Sequence, residues 1–160
     1  MARKKTPQEV GKDFEEETRL ALKEITHHHK AMFHRFYDTR SAGTYLPNQP
    51  GDFLFMFLGK VYLIECKSSE KHPTLSAALS SVMEQRQAPI PLLWMRAGAG
   101  TLVLFLDQTN NEVELWDGSL VYRTRAQERG RLPAEGYVCR FPRSALQSYL
   151  LIEFRGRETL

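Results

Sequence analysis

Two apolar runs, residues 52–58 and 61–66, lie on either side of Gly59-Lys60, and no other feature limits how this chain can fold as strongly. Short runs rich in Phe, Leu, Val and Ile around a glycine predict an antiparallel hairpin that turns at Gly59-Lys60. A lone hairpin is unstable in water, so the rest of the chain must cover its apolar faces. The turn also sorts the charges. Counting outward from it, Asp52 falls beside Glu65 and Lys67. Residues two apart on a strand share a face, so Glu65 and Lys67 project together while Cys66 points into the core.

Two carboxylates and an ammonium then meet at the end of an otherwise apolar sheet, where charge is costly unless it is solvated or used. Two carboxylates with open positions suit Mg²⁺ or Mn²⁺, because Mg²⁺ takes oxygen ligands and keeps several waters. Such a cation lowers the pKa of a bound water and stabilises charge on a phosphodiester oxygen. Lys67 can position that water or neutralise the developing charge. Taken alone, the three residues fit an ordinary ion pair at strand ends better than a catalytic site. Their neighbours change the balance.

Thr6-Pro7-Gln8-Glu9 is a helix start, with a threonine cap, proline in the first turn and glutamate completing a capping box. Val10, Phe14, Ala21, Leu22 and Ile25 follow at mostly helical spacing, predicting a long amphipathic helix to about Ala31. Residues 34–40 read as a short strand, and 41–51 as a loop punctuated by Gly43, Pro47, Asn48 and Pro50. Residues 75–87 read as a second helix. Strands are expected at 91–95 and 102–106 around a turn at 96–100. Strand or irregular edge is expected at 112–116, 120–122 and 137–141, and a closing helix at 142–151. The order describes an α/β sandwich. One domain spans 1–160, with a core of about 6–106 and a basic region of about 107–160.

At 160 residues, 42% hydrophobic and 26% charged, the composition is that of a globular protein. The apolar runs are far too short to cross a bilayer, so no membrane partner is expected. No apolar segment follows the basic Arg3-Lys4-Lys5, so no secretion signal is expected, and the low cysteine count predicts a reducing, cytoplasmic setting. Cys66 and Cys139 read as two buried thiols rather than a disulfide. Lys and Arg number 9, 5 and 8 in residues 1–40, 41–120 and 121–160, against 7, 8 and 4 Asp and Glu. The ends are therefore basic around an acidic middle. All eight cations of the last segment are arginines, which suit bidentate phosphate contacts, and a solvated face explains them equally well. His27-His28-His29 diverge by about 100° each on a helix and cannot share one ion. With His34 nearby, they read as a partly exposed helix end. Gly98-Ala99-Gly100 lacks the lysine and helix of a phosphate loop and reads as a turn. Trp94 and Trp116 read as core or interface aromatics.

The pattern Pro50-Gly51-Asp52…Glu65-Cys66-Lys67 resembles the PD-(D/E)xK nuclease superfamily. Together with Arg40-Ser41-Ala42-Gly43 and Tyr62-Leu63-Ile64 before the glutamate, it is most similar to the archaeal Hjc-type Holliday-junction resolvases, and more distantly to the RecU type. The likeness runs from about Gly11 to Leu106. It implies a restriction-endonuclease-like α/β core, a mixed central β-sheet flanked by helices. It also implies that an N-terminal helix supplies an acid to the metal site. Spacing from Gly11 puts Glu15 there, with Glu16 or Glu17 as alternatives. The implied metal ligands are Glu15, Asp52 and Glu65, for Mg²⁺ with Mn²⁺ able to substitute. Glu15, Asp52, Glu65, Lys67 and Ser41 form the catalytic set, with Ser41 beside the scissile phosphate. Candidate DNA contacts are Arg3, Lys4, Lys5, Arg40, Ser41 and Lys71.

The chain departs from the family in a longer loop before Asp52, in Glu16 where a basic residue is expected, and in the lack of a secure match for a helix glutamine. Gln85 and Gln87 are candidates for that glutamine. The implied activity is resolution of four-way DNA junctions by paired symmetric nicks, performed by a homodimer in the cytoplasm, or in the host cytoplasm if the chain is phage-encoded. The alternatives are another PD-(D/E)xK nuclease of repair or restriction type, or a non-catalytic protein that binds branched DNA.

Overall fold

A computed structural model describes residues 3–37 and 49–158. Arg40 and Ser41 lie outside the described residues. Among the described residues, six strands form one sheet in chain order: β1 (Ala31–Arg35), β2 (Phe53–Phe57), β3 (Lys60–Ser69), β4 (Gly100–Asp107), β5 (Glu112–Asp117) and β6 (Tyr137–Pro142). Every neighbouring pair is antiparallel except β3 and β4, which run parallel. The described residues include five α-helices that flank this mixed sheet: α1 (Pro7–His28), α2 (Leu75–Val82), α3 (Pro89–Arg96), α4 (Gly118–Ala126) and α5 (Leu146–Gly156). The architecture is α/β.

The β2–β3 hairpin forms as its periodicity predicts, with the turn one residue earlier than expected. Leu58 and Gly59 carry φ of 48° and 84°, the positive pair of a type I′ turn, and Lys60 already pairs with Phe57. The α1 start is also as the sequence predicts. Thr6 Oγ1 accepts from the Glu9 N–H at 3.3 Å, and Glu9 Oε2 accepts from the Thr6 N–H at 2.7 Å. Helix α1 ends at His28 rather than near Ala31, because Ala31 opens β1, which covers 31–35 rather than 34–40.

One face of the sheet packs on α1 and α5. Phe14, Leu22 and Ile25 meet Phe53, Phe55, Phe57, Ile64, Leu102 and Leu104, with Leu150 and Phe154 closing the layer. On the other face, Leu75, Leu79, Val121 and Tyr122 cover Val103, Phe105 and Trp116. Alternation along β3 therefore sends Tyr62, Ile64 and Cys66 to the α1 side. Glu65 and Lys67 pair with Val103 and Phe105 of β4 and share their face.

Two expected strands are helices. Residues 91–95 lie in α3, because Pro89 and Pro91 occupy its first turn, where a missing N–H leaves no intrahelical bond unmade. Residues 120–122 lie in α4, whose N-cap Asp117 accepts from the Ser119 N–H at 2.7 Å. The second helix stops at Val82, not Gln87: Met83 is extended, and Gln85–Gln87 is a separate 3₁₀ turn. The closing helix is shifted, with a 3₁₀ turn over Arg143–Ala145 leading into α5. Both cysteines are free thiols, but Cys139 is only half-buried. Trp116 is core, whereas Trp94 is 38% exposed. Among the described residues, no helix is long and apolar enough to cross a membrane.

Candidate active site

Asp52 stands where β2 begins and β1 ends. Its N–H donates to the Ile64 carbonyl at 3.0 Å, and its carbonyl accepts from the Phe36 N–H at 2.9 Å. The pairing of Phe53 with Ile64 sets Asp52 opposite Glu65, and the Cys66 N–H donates to Asp52 Oδ2 at 2.6 Å. Gly51 is needed for this close approach. A Cβ there would lie 3.0 Å from the Ile64 carbonyl oxygen and 3.5 Å from Glu65 Oε2. Lys67 Nζ lies 2.6 Å from Glu65 Oε1, and both side chains are largely buried. Cys66 turns to the opposite face, where its thiol donates to Thr18 Oγ1 at 3.5 Å.

Asp52, Glu65 and Lys67 line a cleft of about 650 Å³ together with Glu15, Lys12 and Arg35. The three successive acids of α1 separate as a helix requires. Glu15 faces the cleft, held by Arg35 Nη2 at 3.2 Å. Glu16 is gripped by Arg19, and Glu17 by Arg143 through two bonds of 2.7 Å. Of the two glutamines, Gln87 lines the cleft, while Gln85 donates to the Ala126 carbonyl at 3.3 Å.

Burial governs the acids of the cleft, whose lining also carries Lys12, Arg35, Lys67 and Arg86. Burial pushes the Asp52 carboxyl well above its ordinary range, and the charges of Glu65 and Glu15 push it further, against Lys67 and the Cys66 N–H. Burial raises Glu15 as well, opposed chiefly by Arg35. Burial works against the Lys67 charge, yet Glu65 and Asp52 hold its ammonium above the usual lysine range. Burial, reinforced by the Asp52 charge, pushes the Cys66 thiol far up, so it is no nucleophile. The same causes keep the buried Tyr122 phenol protonated, here with the Glu65 and Asp52 charges.

Among the described residues, no three His, Cys, Asp or Glu side chains stand ready as a cage for a metal ion. Glu15 and Glu65 each hold an internal cation instead. The donor set nevertheless suits a hard divalent cation: its members are carboxylate oxygens, and they raise one another's affinity for positive charge. Asp52, Glu65 and Glu15 are the residues that would hold it.

The candidate DNA contacts are differently placed. Arg3, Lys4 and Lys5 are exposed, and each already faces a carboxylate, Glu9 at 2.9 Å, Glu70 at 3.7 Å and Asp13 at 2.6 Å. Lys71 is exposed in the connection from β3 to α2, next to Glu70. Among the described residues, three of the late arginines form ion pairs within the fold. Arg140 binds Asp107, Glu112 and Glu114, Arg143 binds Glu17, and Arg157 binds Glu153. The histidine run is the end of α1, where His28 pairs with Glu24 at 3.0 Å.

Sequence reasoning missed Arg35 and Lys12. Alternation along β1 groups Arg35 with Ala31 and Phe33 on the face toward α1, but that signal needs the correct strand boundary. Lys12 follows Gly11 by one position and carried no motif of its own. No protein-family model matches the chain, and no curated protein matches it significantly.

Proposed function

We propose that this chain is a divalent-cation-dependent DNA endonuclease with a restriction-endonuclease-like core, which resolves four-way junctions by paired symmetric nicks in the cytoplasm. The observation that carries the reading is the meeting of Asp52, Glu65 and Lys67 with Glu15 in one cleft, the residues on which the resemblance to junction resolvases also rests. Asp52 and Glu65 hold Mg²⁺ or Mn²⁺, and Glu15 completes the set. When bound, the ion supplies Lewis acidity toward water and a phosphodiester oxygen. Lys67 stays cationic beside Glu65 and Asp52, so it donates rather than abstracts: it orients the attacking water and offsets charge developing on the phosphate. The resemblance assigns Ser41 to the scissile phosphate and Arg40 to the DNA.

Two opposing nicks require two active sites, and a C₂ homodimer supplies them. Selectivity for branched DNA comes from shape and backbone charge rather than base reading, so binding weakens steeply with added salt.

The test is an end-labelled synthetic four-way junction incubated with protein and Mg²⁺, beside a linear duplex of the same sequence. Paired symmetric nicks confined to the junction are expected. Cutting of the duplex would keep the metal site but make the chain a nuclease of repair or restriction type. Tight binding with no cutting in Mg²⁺ or Mn²⁺ would leave a non-catalytic branched-DNA-binding protein.

A further inference from the structure

The guanidinium of Arg35 is shared between two carboxylates of unequal standing. Its Nη2 donates to Glu15 Oε2 at 3.2 Å, and its Nη1 to Glu16 Oε2 at 3.4 Å. Glu16 already has a counter-ion. Arg19 Nε reaches both its oxygens at 3.0 and 2.9 Å, and Arg19 Nη2 donates to Oε1 at 2.6 Å. Glu15 has no such second partner. Among the described residues Arg35 is its one ion-pair partner, and that pair faces the cleft that also holds Asp52, Glu65 and Lys67.

We infer that Arg35 is a positioning residue, an exchangeable counter-ion that competes with a divalent cation for Glu15. The inference rests on the metal-dependent reading above and deepens it. When a cation takes Glu15, Arg35 gives up one of its two ion pairs and stays tethered at the cleft wall through Glu16. Glu16 keeps its own counter-ion throughout, because Arg19 bonds both of its oxygens. The guanidinium edge released from Glu15 then faces the cleft, where a strand phosphate can accept it. Arg35 therefore weakens cation binding in the DNA-free protein. A bound strand that engages Arg35 frees Glu15, and by reciprocity cation and DNA strengthen each other's binding.

The test is Mn²⁺ binding by the DNA-free full chain at about pH 8, read as free Mn²⁺ by electron paramagnetic resonance, with no dependence on cleavage. Arg35→Gln should bind Mn²⁺ about tenfold tighter than wild type, the scale on which directly paired groups couple. Lys12→Gln removes a cation of the same cleft that pairs with no carboxylate among the described residues, and should change affinity by less than about threefold. In a Glu15→Gln background, the gain from Arg35→Gln should disappear. Arg35→Lys keeps the charge but cannot bridge two carboxylates. It should give a smaller gain, about threefold, and carries the test if the glutamine variant does not fold.

A gain that survives in Glu15→Gln, or that Lys12→Gln matches, would replace the latch with a general field and overturn the inference. Wild-type binding with no gain in either Arg35 variant would also overturn it while leaving the metal site standing. If neither wild-type nor Arg35→Gln protein binds Mn²⁺ at millimolar concentration, the metal-dependent reading itself falls, and the latch with it.

Discussion

The same sheet carries two clusters of acids around a cation, and they are built on opposite terms. At β4–β6, Arg140 reaches Asp107 at 2.7 Å, Glu112 at 2.6 Å and Glu114 at 3.3 Å, and also donates to the Pro73 carbonyl at 2.8 Å. Asp107 further accepts from Asn110 and the Thr109 N–H, and Glu114 accepts from the Leu75 N–H and the Trp116 indole. Burial works against the charge of Asp107, yet the bonds from Asn110, Arg140 and Thr109 together hold its carboxyl below the ordinary range. In the cleft, by contrast, the Asp52 carboxylate accepts one backbone N–H and Glu15 shares one guanidinium, and both carboxyls stand above the range. Both clusters bury carboxylates at strand ends. One supplies the donors that complete them and becomes a staple between three strands and the start of α2. The other leaves its acids buried with few donors, the condition in which a bound cation has something to complete.

The contrast breaks most visibly at Asp52. Asp52→Asn should lower Mg²⁺-dependent junction cutting by about a thousandfold or more, in the range lost when a charge-stabilising group is removed, while gel-shift binding of the junction persists. Unchanged cutting would remove Asp52 from the site. The next largest effect belongs to the staple. Arg140→Ala leaves Asp107 and Glu114, both almost fully buried, without their cation, and should cost about 3–5 kcal/mol in urea denaturation. That corresponds to a fall in Tm of roughly 10 °C for a chain of this size. Cutting by the protein that remains folded should be close to normal, and a selective loss of cutting with normal stability would erase the division of roles.

Proton linkage gives the two clusters opposite signs. A carboxyl raised in the folded state, such as Asp52, keeps its proton where the unfolded chain has lost it. Its contribution falls as pH rises through the folded value. A carboxyl lowered in the folded state, such as Asp107, contributes stability above the ordinary carboxylate range that is lost as pH falls through its folded value. In melting curves, Asp52→Asn should therefore stabilise the protein at about pH 8, with the gain shrinking toward about pH 4. Asp107→Asn should destabilise it at about pH 8, with the loss shrinking at more acid pH. Parallel rather than opposed trends would mean that the cleft acids are as well satisfied as the staple.

The cleft was more legible in the sequence than the staple, for a physical reason. A glycine turn and a period of two place Asp52 across from Glu65 and Lys67 through local pairing alone. Glu15 is singled out only by its spacing from Gly11 within the resemblance, with Glu16 and Glu17 left open, and the phase of α1 separates the three. The staple depends on β6 pairing with β5, which sets Arg140 opposite Glu114 across 26 residues of chain. From composition alone, Arg140 counted as part of a basic tail. Helices α3 and α4 were misread because short apolar segments look alike in either period. Residues 91–95 read as strand because Pro89 and Pro91 were not recognised as a helix's first turn, nor was Asp117 recognised as the cap of α4. Arg35 became visible only when α1 was seen packed on β1.

The smallest expected effect separates two acids that differ by one position on the same strand face. Glu112 and Glu114 both bind Arg140, but the Glu112 side chain is 42% exposed and that of Glu114 is 5%. In Glu112→Gln the amide oxygen can still accept from Arg140 Nε and the NH₂ can turn to water, so the loss should stay below about 1 kcal/mol. Glu114 has no such freedom. One of its oxygens takes the Leu75 N–H at 2.8 Å and the Trp116 indole at 2.9 Å, while the other faces Arg140. A glutamine that keeps its oxygen on those two donors must point its NH₂ at the guanidinium, donor against donor, with no water to intervene. Glu114→Gln should therefore cost about 2 kcal/mol, the scale of a buried polar group left unpaired. Equal losses in urea denaturation would show that the staple behaves as one exposed charge cloud, and its contrast with the cleft would lose its physical basis.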